Sequence, residues 1–173
     1  MPRAARQDGE GGWHHVMNRG ADHQRIFFST SDGEAFERLL AEGVARSGVE
    51  VHAYCLMPNH FHLLLHCPDG GLSPFMQRVG TLYARRVKRR KDGDGPVFRS
   101  RFRSIPIDSF EHVAQVGRYI HRNPEDLLPP VDLTTYRWSS LRCYAGLSAT
   151  PPWLQTATLI QCCSDDYLTY IAS

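Results

Sequence analysis

Residues 57–65 read Met-Pro-Asn-His-Phe-His-Leu-Leu-Leu, which places His60 and His62 one residue apart at the start of an apolar run. On a β-strand, residues i and i+2 point to the same face, roughly 6.6 Å apart at Cα, so both imidazoles can reach one metal ion. Phe61 then packs on the opposite side. The pattern predicts a strand that carries a metal site or a histidine dyad. A half-buried strand with two unrelated histidines is the plainer alternative.

The segment before these histidines completes a hairpin. Apolar residues alternate with others over residues 49–56, which is typical of a half-buried strand, and residues 57–59 supply a turn. We therefore expect two antiparallel strands. The residues expected to face the core are Phe61, Leu63 and Leu65. The residues expected to share the opposite, open face are His60, His62 and Tyr54.

Two amphipathic helices flank the hairpin in the chain. One opens with the capping box of residues 31–34, Ser-Asp-Gly-Glu, and ends at Gly48. The other begins with Ser73 as its N-cap and Pro74 in the first turn. The glycine- and aspartate-rich residues 92–96 break it.

A third helix follows an arginine-rich strand predicted over residues 98–107. Its apolar stripe starts at Phe110, and it ends near Asn123 because Pro124 disfavours helical conformation in the residue before it. With a short first strand over residues 13–18, the element order is β-α-β-β-α-β-α. This order indicates the α+β class, with a ferredoxin-like antiparallel sheet and helices packed on one face.

Length and composition favour one compact domain. We expect residues 1–145 to form it, and residues 146–173 to add a helical tail that packs on the domain or extends from it. No apolar run approaches the length of a membrane span, and no hydrophobic signal segment is found near the N-terminus. The sequence therefore predicts a cytoplasmic protein with no membrane partner.

The charge is unevenly distributed, although the net charge is only +2. Residues 78–122 contain twelve Lys and Arg against four Asp and Glu, and residues 98–103 read Phe-Arg-Ser-Arg-Phe-Arg. Cations interleaved with aromatic rings suit a phosphate backbone with unstacked bases, while a solvated helix face and an ordinary strand are the alternative. The side chains predicted to contact a DNA backbone are Lys88, Arg89, Arg99, Arg101 and Arg103.

A tyrosine and an amide side chain share one face of the third helix. Tyr119 and Asn123 are four residues apart and lie away from the apolar stripe, which leaves both available to a site. The chain carries, in order, the motif of residues 57–65, Tyr-Ile-His-Arg-Asn-Pro at 119–124 and Tyr-Arg-Trp-Ser-Ser at 136–140. Together these motifs resemble the REP-associated tyrosine transposases. That family belongs to the HUH single-strand nucleases, in which two histidines flank a bulky hydrophobic residue.

The resemblance implies a set of roles. His60 and His62 would bind a divalent metal ion, Mg²⁺ or Mn²⁺, and Asn123 would complete its shell at a position where related transposases carry a glutamine. Tyr119 would be the nucleophile. A plain helix-terminal residue before proline is an equally weighted alternative for Asn123. Two imidazole ligands favour Mn²⁺, whereas Mg²⁺ prefers oxygen ligands but is more abundant in cells.

The resemblance also implies a partner and a reaction. The expected partner is single-stranded DNA with a hairpin, cut beside the hairpin through a covalent 5′-phosphotyrosine intermediate and then transferred to another strand. Asn18 and Arg19 are expected to contact the DNA near the site. The protein is expected to be a monomer or a homodimer that acts in the bacterial cytoplasm, associated with the nucleoid.

Three alternatives stay open from the sequence. One is a domesticated DNA-binding protein that recognises a hairpin without cutting it. Another is a metal-independent ribonuclease in which His60 and His62 act as acid and base. The third concerns the nucleophile, because Tyr54 lies on the strand beside the histidines and competes with Tyr119 for that role.

Overall fold

The computed structural model describes residues 9–90, 95–127, 129, 131–163 and 166–173. Its strands are β1 (Gly12–Arg19), β2 (Glu50–Met57), β3 (His60–Cys67) and β4 (Arg103–Ile107). Its helices are α1 (Thr30–Ser47), α2 (Leu72–Arg90), α3 (Phe110–Arg122), α4 (Leu141–Tyr144), α5 (Ala157–Cys162) and α6 (Tyr167–Ala172). Short 3₁₀ turns span Ala21–His23 and Asn123–Asp126. Within these described ranges, no helix is both long enough and apolar enough to cross a bilayer.

The four strands form one antiparallel sheet in the order β2-β3-β1-β4. A two-residue turn at Pro58 and Asn59 joins β2 to β3, so that Met57 pairs with His60 at the closed end of the hairpin. Helix α1 connects β1 to β2, and α2 connects β3 to β4. This is the ferredoxin-like βαββαβ arrangement, and it confirms the predicted α+β class with an antiparallel sheet.

Helices cover both faces of the sheet, because successive strand residues point to opposite sides. On one face, which we call the α1/α2 face, Val16, Phe61 and Leu63 pack with helices α1 and α2. On the other, the α3 face, Cys55 and Leu64 pack with α3 and the C-terminal helices. Helices were predicted on one face of the sheet. Helices α1 and α2 share one face, as predicted, whereas α3 packs on the opposite face. As a result β2 and β3 are buried on both sides instead of being half-buried.

Helix α1 begins earlier than the capping box predicted at residues 31–34. Its N-cap is Ser29, whose backbone N–H donates to the Asp32 carboxylate at 3.1 Å. Arg86 and Arg90 of α2 pair with the same carboxylate. The observed box is Ser29-Thr30-Ser31-Asp32, two residues before the predicted one, and the contacts from α2 add to the hydrogen bonds that Asp32 accepts within it.

Two further boundaries differ from the predictions. Helix α2 begins at Leu72, so Ser73 lies in its first turn instead of capping it. Strand β4 starts only at residue 103, because residues 98–102 form a loop beside the end of β1; we call this segment the arginine loop. The predicted helix break falls mainly on residues 92–94, which lie outside the described residues.

Helix α3 has the predicted bounds. Ser109 is its N-cap and accepts a hydrogen bond from the backbone N–H of His112, and Asn123 is its C-cap. Phe110, which was predicted in the apolar stripe, is instead 65% exposed because it stands in the open first turn. The rest of the stripe is buried, as predicted.

The C-terminal segment packs on α3. A Cβ at Gly117 would lie 2.8 Å from the Leu159 side chain, so glycine permits this close approach of α5. His121 is fully buried, and its ring nitrogens lie 2.8 Å from the Tyr167 hydroxyl and 2.7 Å from Ser140 Oγ. Helix α3 is therefore held between the sheet and the C-terminal helices. The predicted domain boundary stays a prediction.

Candidate functional site

The two histidines of β3 lie on the α3 face, near the end of the sheet where the hairpin turns. His60 pairs across the sheet with Arg19 of β1, and His62 pairs with Met17. Their rings are perpendicular, with centroids 5.1 Å apart. Phe61 points the other way into the α1/α2 core, as the alternation predicted.

Helix α3 brings the predicted tyrosine and amide to these histidines. Tyr119 is 54% exposed, and its ring stands edge-on to His62 with centroids 5.5 Å apart. Asn123 is buried, and its Oδ1 lies 3.3 Å from His60 Nε2. Four residues that the sequence predicted to form one site are thus neighbours in the fold, although their roles stay predictions.

The contacts of His60 indicate a place for a cation. Its Nδ1 lies 2.7 Å from Asn59 Oδ1, and in the tautomer whose Nδ1 donates to this oxygen, Nε2 carries a lone pair. The Asn123 amide nitrogen donates to the Tyr119 carbonyl, which turns its oxygen toward that lone pair. Two acceptors 3.3 Å apart match two ligands of one ion, which lie about 3 Å apart for bonds of about 2.1 Å at a right angle. The donor set therefore fits a divalent metal.

A third histidine, His15 of β1, belongs to the same group and was not assigned to the site from the sequence. Its Nε2 lies 2.9 Å from His62 Nδ1, and its ring centroid lies 5.6 Å from that of Tyr119. Because one of two facing imidazole nitrogens carries a hydrogen, this contact orients the His62 ring. We call the group of His15, His60, His62, Tyr119 and Asn123 the tyrosine end of the α3 face.

Burial favours the neutral form of all three imidazoles at the tyrosine end. Burial, with smaller contributions from Arg103 and His112, lowers the pKa of His15 to about 4. Burial also lowers the pKa of His62 to about 3, and His15 and His60 add to the effect. Burial lowers the pKa of His60 as well, against opposing contributions from neighbouring groups. Neutral imidazoles are the form that binds a metal ion.

Tyr54, the competing tyrosine, does not reach this group. The two-residue turn makes Cys55 the partner of His62, so Tyr54 pairs with Leu63 on the α1/α2 face. Its hydroxyl donates to Glu37 at 2.7 Å, and burial raises the pKa of this phenol. The expectation that Tyr54 shares the open face with the histidines was wrong, because a one-residue difference in register moves a side chain to the opposite face.

The basic residues predicted to contact DNA lie on different faces. Arg103 is paired with Met17, on the α3 face, and its charge contributes to the lowered pKa of His15. Arg99 and Arg101 are exposed in the arginine loop. Lys88 and Arg89 are exposed at the end of α2, the helix that packs on the opposite face.

Asn18 and Arg19, both predicted near the site, have side chains on opposite faces of the sheet. Arg19 pairs with His60, at the tyrosine end. Asn18 pairs with Phe61 and so belongs to the α1/α2 face, where its amide donates to the Ser100 carbonyl of the arginine loop. The expectation that Asn18 lies near the histidines was therefore wrong for its side chain. Adjacent strand residues point to opposite faces.

Cavities flank Tyr119 on both sides. One, of about 380 Å³, lies between β1, β4 and α3 and is lined by residues that include His15 and Gln115. The other, of about 280 Å³, is lined by residues that include Arg118 and Arg122. The phenol is thus reachable by an extended chain that passes along the edge of α3.

Metal-ligating side chains also lie at the opposite end of the α3 face. The ligand atoms of Glu50, His52 and His66 all lie within 4.8 Å of one another. The Trp13 ring packs against both imidazoles, with centroids 4.4 and 4.6 Å away. We call these four residues the glutamate end. The part of the chain that the structure describes thus offers two places whose side chains suit a divalent ion.

Comparisons with known proteins identify relatives of this chain. The model of a protein family described as "Transposase IS200 like" matches residues 11–123. Among solved structures, a REP-associated tyrosine transposase bound to a REP hairpin is similar at a TM-score of 0.70 and 15% identity, over 90% of this chain and 92% of that one. A Deinococcus radiodurans protein described as a candidate transposase is similar at a TM-score of 0.47 and 18% identity, over 70% and 97% of the two chains. No curated protein sequence matches.

Proposed function

This chain belongs to the IS200-like transposase family, and from that premise we propose that it is a metal-dependent endonuclease and strand transferase for single-stranded DNA. The cut is made beside a DNA hairpin and passes through a covalent 5′-phosphotyrosine intermediate. One observation carries the proposal: the exposed phenol of Tyr119 stands against His15 and His62, while Asn123 of the same helix reaches His60.

In the proposed reaction, Tyr119 supplies the nucleophile. Its phenol oxygen attacks the scissile phosphorus, the bond from phosphorus to the 3′ oxygen breaks, and the 5′ phosphate stays on the tyrosine. The phenol gives up its proton, and the released 3′ oxygen gains one. Because the phosphotyrosine conserves the energy of the broken phosphodiester, an incoming 3′-hydroxyl can displace the tyrosine and complete strand transfer.

His60, His62 and Asn123 are the residues that would hold Mg²⁺ or Mn²⁺. A divalent ion bound there would neutralise charge on the scissile phosphate as a Lewis acid. His15 positions the His62 ring through their shared hydrogen bond, and Asn59 fixes the protonated nitrogen of His60. The Asn123 amide nitrogen donates to the backbone carbonyl of Tyr119. This hydrogen bond holds the Asn123 oxygen, the proposed metal ligand, close to the residue that we propose as the nucleophile.

Hairpin DNA is the proposed partner. The similar fold solved on a REP hairpin supports this choice, and so does the excess of positive charge in residues 78–122. Arg103 is on the α3 face, its charge contributes to the lowered pKa of His15, and we propose that it contacts the phosphate next to the cut. Arg99 and Arg101 extend the positive surface along the arginine loop. Lys88 and Arg89 would contact the DNA only if the DNA also crosses the α1/α2 face.

The proposed active site is built within one chain. Tyr119 reaches the histidines of its own sheet, so either a monomer or a homodimer can act without exchanging α3 between subunits. We further propose that the protein works in the bacterial cytoplasm at the nucleoid, where its substrate would be found.

A covalent-adduct assay tests the proposal. The purified protein is incubated with labelled single-stranded DNA that contains hairpins from its own genomic flanks, with Mn²⁺ or with EDTA, and resolved on a denaturing gel. We expect a Mn²⁺-dependent protein–DNA band that is absent in Tyr119→Phe and in His60→Ala. Tyr54→Phe is the matched control, because it removes the other candidate hydroxyl, and it should keep the band.

The other outcomes separate the alternatives. An adduct that survives Tyr119→Phe but not Tyr54→Phe would move the nucleophile to β2. Hairpin binding with no adduct on any substrate would favour a domesticated DNA-binding protein. Cleavage of RNA that EDTA does not inhibit would favour acid-base chemistry by His60 and His62.

A further inference from the structure

The glutamate end of the α3 face has no part in the proposed reaction. It is formed by Glu50 and His52 of β2 and His66 of β3, with Trp13 of β1 beside them. We propose that Glu50, His52 and His66 form a second metal site, which binds Zn²⁺. This proposal does not depend on the nuclease function.

The distances among the three ligand atoms suit one ion. Glu50 Oε2 lies 2.7 Å from His66 Nδ1 and 3.3 Å from His52 Nε2. Tetrahedral zinc with bonds of about 2.0–2.1 Å separates its ligands by about 3.3 Å. The three ligand atoms all lie within 4.8 Å of one another, and the Glu50 side chain, 39% exposed, has room to adjust its carboxylate.

The backbone at His52 departs from regular strand pairing. The pairing of β2 with β3 shifts between Val51 and Ala53, so His52 sits in a β-bulge outside the regular ladder. Its side chain is nevertheless buried and faces Glu50. Bulges are frequent beside functional sites, because the extra residue redirects a side chain that the regular ladder would place elsewhere.

Trp13 fixes both imidazole rings. It stacks on His66 at an interplanar angle of 23° and is tilted by 49° to His52. Rings packed in this way lose little further freedom when they bind an ion, which favours binding. The indole also provides a spectroscopic reporter within 5 Å of both ligands.

The donor set selects the metal. Two imidazole nitrogens and one carboxylate oxygen, with a fourth position open to water, form the His₂Glu set that suits zinc, whereas Mg²⁺ and Ca²⁺ prefer oxygen alone. His66 is 22% exposed, so an ion can enter from solvent beside Glu50. A bound ion would join the edge strand β2 to β3.

The two ends are separate sites. His62 and His66 are four residues apart on one strand, which places their Cα atoms about 13 Å apart. A single ion therefore cannot use ligands from both ends, and each can be emptied by substitution without touching the other.

Zinc titration of the metal-stripped full chain tests the proposal. The tyrosine end is first disabled by His60→Ala together with His62→Ala, and Zn²⁺ binding is then measured by calorimetry. We expect one equivalent to remain bound. Adding Glu50→Gln or His66→Ala should weaken that binding more than the roughly 10–100-fold that loss of an outer-shell partner causes.

Two controls identify the site. His23→Ala removes an exposed histidine elsewhere and should leave the binding unchanged. Co²⁺ should quench the fluorescence of the wild-type protein, and Trp13→Phe should remove most of that quenching, because it removes the indole that packs against both proposed ligands.

The proposal is overturned if no Zn²⁺ binds once the tyrosine end is disabled. It is equally overturned if Glu50→Gln leaves the binding unchanged. Glu50→Gln keeps the size of the side chain and one oxygen acceptor, so it decides the question even if His66→Ala fails to fold.

Discussion

The two ends of the α3 face share a plan and differ in what they can do. At each, two imidazoles pack against one aromatic ring. At the tyrosine end that ring is the half-exposed phenol of Tyr119, which packs against His15 and His62, and the proposed donors are His60, His62 and the Asn123 amide. At the glutamate end the ring is an indole, and the third donor is a carboxylate. The two ends therefore offer similar metal-ligating side chains, and what distinguishes the tyrosine end is the exposed phenol that we propose as the nucleophile.

The largest expected effect comes from a matched pair on β3. His62→Ala should lower the rate of adduct formation by at least about 100-fold, because it removes a metal ligand beside Tyr119. His66→Ala should leave that rate within about twofold. Both rates are measured with the hairpin substrate at saturating Mn²⁺. Equal losses of this rate in His62→Ala and His66→Ala would show that the two ends act as one site.

The next prediction tests whether His15 supports metal binding at the tyrosine end. His15→Phe keeps a ring against Tyr119 but removes the hydrogen bond that orients His62. We expect the Mn²⁺ concentration for half-maximal adduct formation to rise about 10–100-fold. A metal dependence equal to that of the wild type would show that His15 only fills space.

The next effect concerns DNA on the two faces. Arg103→Gln should weaken hairpin binding several-fold and reduce the slope of log affinity against log salt by about 0.7, as expected when one phosphate contact to a single strand is lost. Lys88→Gln, at the end of α2, should change the slope less. The slopes are obtained from binding isotherms at several salt concentrations. A larger change for Lys88→Gln would place the DNA across the α1/α2 face.

The smallest effect on activity is expected from a substitution on the α1/α2 face, which contains no part of either proposed metal site. Asp32→Asn should lower the free energy of unfolding by about 1–3 kcal/mol at neutral pH, because Arg86 and Arg90 lose their buried partner. Adduct formation by the folded variant should be unchanged. Urea unfolding and the gel assay measure the two quantities.

The same substitution has a predictable pH dependence. Burial opposes ionisation of Asp32, but the hydrogen bonds from the Phe28 backbone and from Arg90 and Arg86 outweigh it and lower the pKa of the carboxyl. A lowered pKa means that the stabilisation is complete above the ordinary pKa and is lost as the pH falls through the lowered one. The stability difference between wild type and Asp32→Asn should therefore shrink below about pH 4. A constant difference down to pH 2 would contradict the assignment.

The sequence was informative where the deciding contacts are local. The two-residue turn and the alternation in β3 placed Phe61 in the core and both histidines on the other face, as observed. The spacing of four residues placed Tyr119 and Asn123 on one helical face, and Pro124 marked the end of that helix. These features depend on residues within about one turn or one pleat of each other.

Predictions failed where a neighbour distant in the chain decides the outcome. Asp32, predicted as part of a local capping box, also pairs with arginines more than fifty positions away, which the local sequence does not predict. The face of Tyr54 depends on a cross-strand register, and a single residue reverses it. The arginine loop replaces the start of a predicted strand because it follows the end of β1 instead of extending the ladder.

By itself the sequence determined which chemical groups the predicted site contains: two histidines at strand spacing, a tyrosine and an amide at helical spacing, and motifs in an order that resembles one transposase family. The tertiary structure alone decided which groups meet. His15 joins His62 across 47 positions of chain, and Glu50 reaches a histidine 16 positions away. The reason is physical, because periodicity fixes the face of a side chain within its own element, whereas strand pairing and helix packing fix which faces come together.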